Sequence, residues 1–268
     1  MRGLLMERFS FNQATAKHWP LPDLVAGCAA AGVRFVGLWR EPVLSHGLAR
    51  SAALVRDAGL SVSTLCRGGF FGADDWREDN RRAIDEAATL GAPVLVLVCG
   101  GLAGRSLAEA RERVAAGIEA LVPHALDAGV RLAIEPMHPM FTADRSVVAT
   151  LSGALSLAAR FPPAAVGIAL DTYHVWWDER VLPEIAAAGS RIACFQLADW
   201  VLPLPADVLV GRGLPGAGCV EFGVLLDAVA RAGYQGPIEV EVFNAELWTR
   251  PGAEILRDTI AAYQAVTC

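Results

Sequence analysis

The feature that most constrains this chain is a repeated handover from helix to strand. Helix-period segments at Leu21–Ala31, Trp76–Leu90, Leu107–Ala128 and Phe222–Ala232 each stop at a glycine, and Leu151–Arg160 stops at Pro162 and Pro163. A glycine just past a helix is the usual left-handed cap, so each AGV, LGA or AGY reads as a helix ending and a strand beginning. The short apolar runs are Arg8–Asn12, Arg34–Leu38, Ser61–Leu65, Val94–Val98, Arg131–Ile134, Val166–Leu170, Ile192–Phe195 and Pro237–Val242. Strand and helix alternating over short connections force right-handed crossovers and a parallel sheet. Eight such strands close a parallel (β/α)8 TIM barrel, an α/β fold.

Closure is favoured over an open doubly wound sheet on two grounds. No GxGxxG follows the first strand, where an open dinucleotide-binding sheet would carry its phosphate turn. Polar residues also gather at the carboxyl ends of many strands, as in a barrel active site. With 268 residues and no linker or low-complexity tract, residues 1–268 read as one domain.

Composition narrows the partners. A hydrophobic share of 54% suits a barrel covered on both faces, and the longest apolar runs, such as Ala92–Cys99, are too short to span a membrane. Between Met1 and Asn12, Glu7 and Arg8 interrupt any signal-peptide core, which places the protein in the cytoplasm. Six cysteines without a CxxC pair read as free reduced thiols. A net charge of −6, with Lys17 the only lysine, disfavours nucleic acid. Small molecules are the expected partners.

Four consecutive strands end in an oxygen-bearing side chain. The apolar run of LAIEPMHP ends on Glu135, that of GIALDTYH on Asp171, that of ACFQLAD on Gln196 and that of IEVEVFN on Glu241. Burying three carboxylates together costs several kcal/mol each unless a cation neutralises them, so the set reads as a divalent-metal site. Its hard, sulfur-free donors suit Mn2+ first, with Mg2+ or Co2+ as alternatives. Glu239 is the rival to Glu241, two residues earlier on the same strand face.

These motifs resemble the sugar phosphate isomerase/epimerase superfamily, the xylose isomerase-like barrels, most strongly over Val130–Asn244. Gln196 looks like the hydroxypyruvate isomerase branch, whereas EVFN resembles the inosose isomerase branch. The resemblance implies a metal-dependent isomerase or epimerase acting through an enediolate on a sugar, keto-inositol or small hydroxy-carbonyl compound. Glu135 and Glu241 would be both ligands and proton carriers, and His174 and Arg212, in GRGLPGAG, would bind substrate. His138, Met140 and Trp176 with Trp177 would line the pocket; Asn12, His18, Trp39, Arg40, Arg67 and Phe70 would set selectivity. Phe141 stands where ketose 3-epimerases carry a second glutamate, which argues against that subfamily.

Three alternatives stay open: an inosose-type dehydratase, an apurinic-site endonuclease-like barrel, and a metal-binding barrel without catalysis. Barrels of this kind often pair, and the apolar fraction permits a homodimer.

Overall fold

The computed structural model describes residues 6–267 and confirms the closed barrel. In chain order, β1 (Phe9–Asn12) leads through α1 (Leu21–Ala30) to β2 (Phe35–Trp39), and α2 (Arg40–His46) with α3 (Leu48–Asp57) lead to β3 (Ser61–Gly69). Then come α4 (Trp76–Leu90), β4 (Val94–Val98), α5 (Leu107–Asp127), β5 (Arg131–Ile134), α6 (Leu151–Ala158) and β6 (Val166–Asp171). The short α7 (Thr172–Val175) and α8 (Val181–Ala188) precede β7 (Ile192–Leu197). A small hairpin of β8 (Asp199–Trp200) and β9 (Arg212–Gly213) follows, then α9 (Phe222–Arg231), the last barrel strand β10 (Ile238–Val240) and α10 (Gly252–Thr267).

All neighbouring barrel strands pair in parallel, and β10 closes between β7 and β1. The helix stops act as the glycines suggest: Gly91 takes the left-handed conformation at φ 69° and donates to the carbonyls of Ala87 and Ala88. At the start of α5, Ser106 and Glu109 cap each other's backbone N–H groups, satisfying donors that the first turn leaves free.

Two cores result. The larger lies between strands and helices and includes Phe9, Leu24, Leu38, Ile84, Leu95 and Ile134. The smaller fills the barrel's axis with Cys66, Val94, Val96, Ala133, Ala169 and Cys194. Its side chains are small, which leaves room for polar groups between them. Gly37 shows how tight that room is: a Cβ there would lie 2.4 Å from Glu239 Oε2 and 2.7 Å from Asn12 Nδ2.

The thiols Cys28, Cys66, Cys99, Cys194 and Cys219 are free, all buried except Cys219, while Cys268 and most of the apolar start of the chain lie outside the described residues. Among the described residues no helix is long and apolar enough to cross a membrane.

Candidate active site

Barrel register sets the site. Asp171 on β6 is level with Gln196 on β7, and Gln196 is level with Glu239 on β10. Glu135 follows β5 directly and Glu241 follows β10, where its N–H still donates to Leu197 at 3.1 Å. All four expected ligands are buried, at 4% exposure or less.

The two rival glutamates, Glu239 on β10 and Glu241 just after it, have different surroundings. Glu239 is saturated: Asn12 Nδ2 and Gln196 Nε2 donate to its Oε1 at 2.8 Å, Ser63 donates to Oε2 at 2.5 Å, and Thr64 reaches both oxygens. Its lone pairs are spent on holding the barrel floor. Glu241 is held more loosely, by Cys66 Sγ at 3.8 Å and Arg212 Nη1 at 3.4 Å, with the Trp39 side chain also hydrogen-bonding to it. It lines the cavity at the barrel mouth together with Glu135.

Glu239 also orients Gln196. With Nε2 committed to Glu239, Gln196 Oε1 is left buried without a hydrogen-bond partner. A buried carbonyl oxygen in that condition costs about 1–3 kcal/mol, and a cation would satisfy it. Among the described residues, no hydrogen bond reaches the Glu135 carboxylate either, and burial, then Asp171 and Glu241, push its pKa well above the usual range. Burial likewise pushes Glu241 up to about 8 and raises Asp171, with Arg212 opposing in both cases. Glu135, Asp171 and His174 each bring a donor atom within 4.8 Å of the others. Three clustered carboxylates that share one arginine, with the Glu135 carboxylate unpaired among the described residues and an orphaned amide oxygen beside them, fit a hard divalent cation, and His174 adds an imidazole that the sequence reading gave to substrate.

Arg212 is the counter-charge in the centre. The β8–β9 hairpin returns it over the mouth, where Nη1 donates to Asp171 Oδ2 at 2.8 Å, and the guanidinium lies between the rings of Tyr173 and Phe243 at 4.9 and 4.8 Å. Burial works against this cation, but Asp171 and Glu241 outweigh it and hold its pKa above the ordinary value. Asp199, which sequence reasoning passed over, fixes the loop that carries it: its carboxylate accepts from the backbone N–H of Trp200, Gly216, Gly218 and Val220 at 2.7–3.0 Å. Asn244 of the EVFN run adds a hydrogen bond to the Arg212 carbonyl at 2.8 Å.

His174 Nδ1 faces the His138 backbone N–H at 3.2 Å, while Nε2 faces Arg212 Nη2 at 3.2 Å and Asp171 Oδ2 at 3.8 Å. Burial, then Arg212, depress its pKa well below the usual histidine value, so the ring is neutral and carries one N–H. Both ring nitrogens face N–H donors, the His138 backbone at Nδ1 and Arg212 Nη2 at Nε2, and a neutral ring accepts from only one of them.

A cavity of about 170 Å3 at the mouth is lined by Glu135, Glu241 and Arg212 with Trp39, Arg67, Phe70, Arg145 and Phe243. Residues 25–262 match the family described as the xylose isomerase-like TIM barrel. The chain belongs to that family. Within it, the chain is 30% identical over 241 residues to a 3-dehydroshikimate dehydratase of Pseudomonas aeruginosa, an alignment covering 84% of this chain and 36% of that protein. The chain thus spans about a third of the length of that relative. It is 28% identical to an L-ribulose 3-epimerase of Methylomonas sp., covering 83% of this chain and 78% of the epimerase. A solved structure of a Sinorhizobium meliloti 1021 protein superimposes with a TM-score of 0.94 at 41% identity, covering 97% of this chain and 98% of that one.

The other residues expected around the xylose isomerase-like site are distributed unevenly. Trp39, Arg67 and Phe70 line the mouth cavity, and His18 lines a neighbouring one that shares Trp39 and Phe243. Asn12 is beneath, bound to Glu239. Arg40 is held away by ion pairs to Asp79 at 2.9 Å and Glu86 at 2.6 Å, which use its donors. His138, Met140, Trp176 and Trp177 are absent from the cavity lining; His138 packs on Trp177 and Trp200, and Trp176 on Trp200. The flat faces at the cavity belong to Trp39 and Phe243 instead.

Proposed function

We propose that this barrel is a divalent-metal-dependent isomerase or epimerase of a small polyol or keto compound, working by proton transfer beside a carbonyl. One observation carries the reading. Glu135 and Glu241 face one small cavity from strand ends separated by β6 and β7, and neither carboxylate is saturated by hydrogen bonds.

Glu135, Asp171, Gln196 and Glu241 would hold the cation, with Mn2+ first and Mg2+ or Co2+ as substitutes. Bound there, it would polarise the substrate carbonyl and acidify the neighbouring C–H. Glu135 and Glu241, on opposite sides of the site, would be the proton carriers, one taking the proton from a face of the carbon skeleton and the same or the other returning it. Arg212 would offer a fixed cation, and His174 with its proton on Nε2 a hydrogen bond, to the oxygen on which enediolate charge develops. Trp39 and Phe243 shield the reacting carbons from water. Delivery to the neighbouring carbon isomerises the substrate; delivery from the opposite face to the same carbon epimerises it.

The relation to a 3-dehydroshikimate dehydratase supports a second reading, in which the same proton abstraction is followed by loss of a β-hydroxyl. The five free thiols among the described residues suit a reducing cytoplasm. The test is a screen of ketoses, keto-inositols and keto acids in deuterated water with metal-loaded protein. Incorporation of deuterium at one carbon without loss of water supports isomerisation or epimerisation, and loss of water supports dehydration. Glu135→Gln and Glu241→Gln should each abolish exchange with the circular dichroism spectrum unchanged; normal exchange in either variant sinks the assigned carriers.

A further inference from the structure

Two of the cavity's three arginines have no partner of adequate strength. Arg212 is matched by Asp171 and Glu241. Arg67, near the carboxyl end of β3, makes no side-chain hydrogen bond or ion pair among the described residues; its guanidinium rests on the Phe70 ring, 4.0 Å from the centroid. Arg145, in the loop after β5, has only Asp144 at 3.9 Å as an ion-pair partner among the described residues, and these side chains are 40% and 67% exposed. So long and wet a pair holds almost nothing.

We infer that Arg67 and Arg145 form an anion subsite that receives a carboxylate or phosphate carried by the substrate, at the end of the molecule away from the reacting carbons. Half-burying a guanidinium beside another is unfavourable unless something negative comes between them, and the planar fork of arginine matches the oxygens of an anionic group. Burial, opposed by Glu41 and reinforced by Arg145 and Arg40, lowers the Arg67 pKa, so the two cavity arginines feel each other's charge. The remaining charges on the cavity wall are Glu135, Glu241 and the already matched Arg212, so the wall carries two unmatched cations beside the carboxylates proposed to react. About 170 Å3 leaves space for one small molecule bridging cations and carboxylates. A neutral sugar would leave both guanidiniums uncompensated. The inference rests on the proposed function only for which end of the ligand reacts.

The test uses three ligands with one three-carbon skeleton: dihydroxyacetone, hydroxypyruvate and dihydroxyacetone phosphate, titrated calorimetrically into metal-loaded protein. At least one anionic ligand should bind 10-fold or more tighter than dihydroxyacetone, weakening as salt rises, and the tighter of the two identifies the group. Arg67→Met with Arg145→Met should erase that preference and leave the affinity for dihydroxyacetone within about twofold. Methionine keeps the contact with Phe70, and Arg145→Met alone, at a half-exposed position, tests the subsite if the double variant fails to fold. Equal binding of neutral and anionic ligands, or a preference that survives the substitutions, overturns the subsite. Because binding is read without turnover, solvent exchange with no anion preference overturns the subsite alone. An anion preference without exchange of any ligand overturns the proton-transfer reading alone.

Discussion

Replacing Glu239 by glutamine tests how the floor of the barrel controls the site above it. The side chain keeps its volume, so the result depends on hydrogen bonding. Oε1 accepts from two amide groups, Asn12 Nδ2 and Gln196 Nε2, each at 2.8 Å, and Asn12 cannot turn round because its Oδ1 already accepts from the Ala14 and Trp39 N–H groups. Oε2 faces hydroxyls, Ser63 at 2.5 Å and Ser10 at 3.5 Å, which can rotate. The new amide nitrogen should therefore take the Oε2 side. Gln196 then keeps its partner, but exchanges a bond to a charged acceptor for one to a neutral acceptor, a loss of about 1 kcal/mol. Removing a buried charge offsets part of this, so the stability change should stay within about 2 kcal/mol. Metal affinity should fall more visibly, by about 10–100-fold, because the groups that orient a ligand matter nearly as much as the ligand. Competition between Mn2+ and a fluorescent chelator measures this, and Glu241→Gln should lose far more in the same assay. An affinity within twofold of the parent would refute the coupling, and a larger loss from Glu239→Gln than from Glu241→Gln would refute the choice of ligand.

Two further outcomes follow from the same geometry. Without metal, burial raises Glu135, Asp171 and Glu241, the last to about 8, so the folded state holds protons that the unfolded chain has released. Between pH 6.5 and about 8, stability of the chelator-treated protein should fall with rising pH by on the order of 2 kcal/mol for one retained carboxyl proton, of which the two depressed histidines, half-protonated in the unfolded chain at pH 6.5, return less than about 1 kcal/mol. The rise in Tm on adding Mn2+ should accordingly be larger at pH 8 than at pH 6.5, and a flat chelator-treated profile would contradict the buried-carboxylate argument. Asp199→Ala strips the acceptor from four backbone N–H groups around the Arg212 loop; limited proteolysis between Leu202 and Cys219 should accelerate and stability drop by about 2–4 kcal/mol, whereas Asp199→Asn should lie between.

The strands and the acidic strand ends were legible because both are local signals. An apolar run after a glycine stop marks a strand, and an acid where the run ends marks the mouth. The helix Gly252–Thr267 carries no such glycine stop. What Glu239 does was not legible, because its partners come from β1, β3 and β7 and only closure of the barrel assembles them. Arg40 shows the converse: it follows a strand, as the cavity residues do, but Asp79 and Glu86 on α4 claim it from about forty positions away. Trp176 and His138 adjoin site residues in sequence, yet their rings turn to Trp200. Adjacency in the chain does not fix which side of a short helix or loop a ring will occupy.

Gly37 and Glu239 share one volume, since a Cβ at position 37 would come within 2.4 Å of Oε2. The two positions are therefore not independent variables for anyone redesigning this barrel. A library that randomises the axis must vary them as a pair: an alanine at 37 is acceptable only beside a shorter acid at 239, and that shortening would leave the strand-seven amide free to swing. The mutational tolerance of a residue on the second strand is set by a carboxylate about two hundred positions downstream.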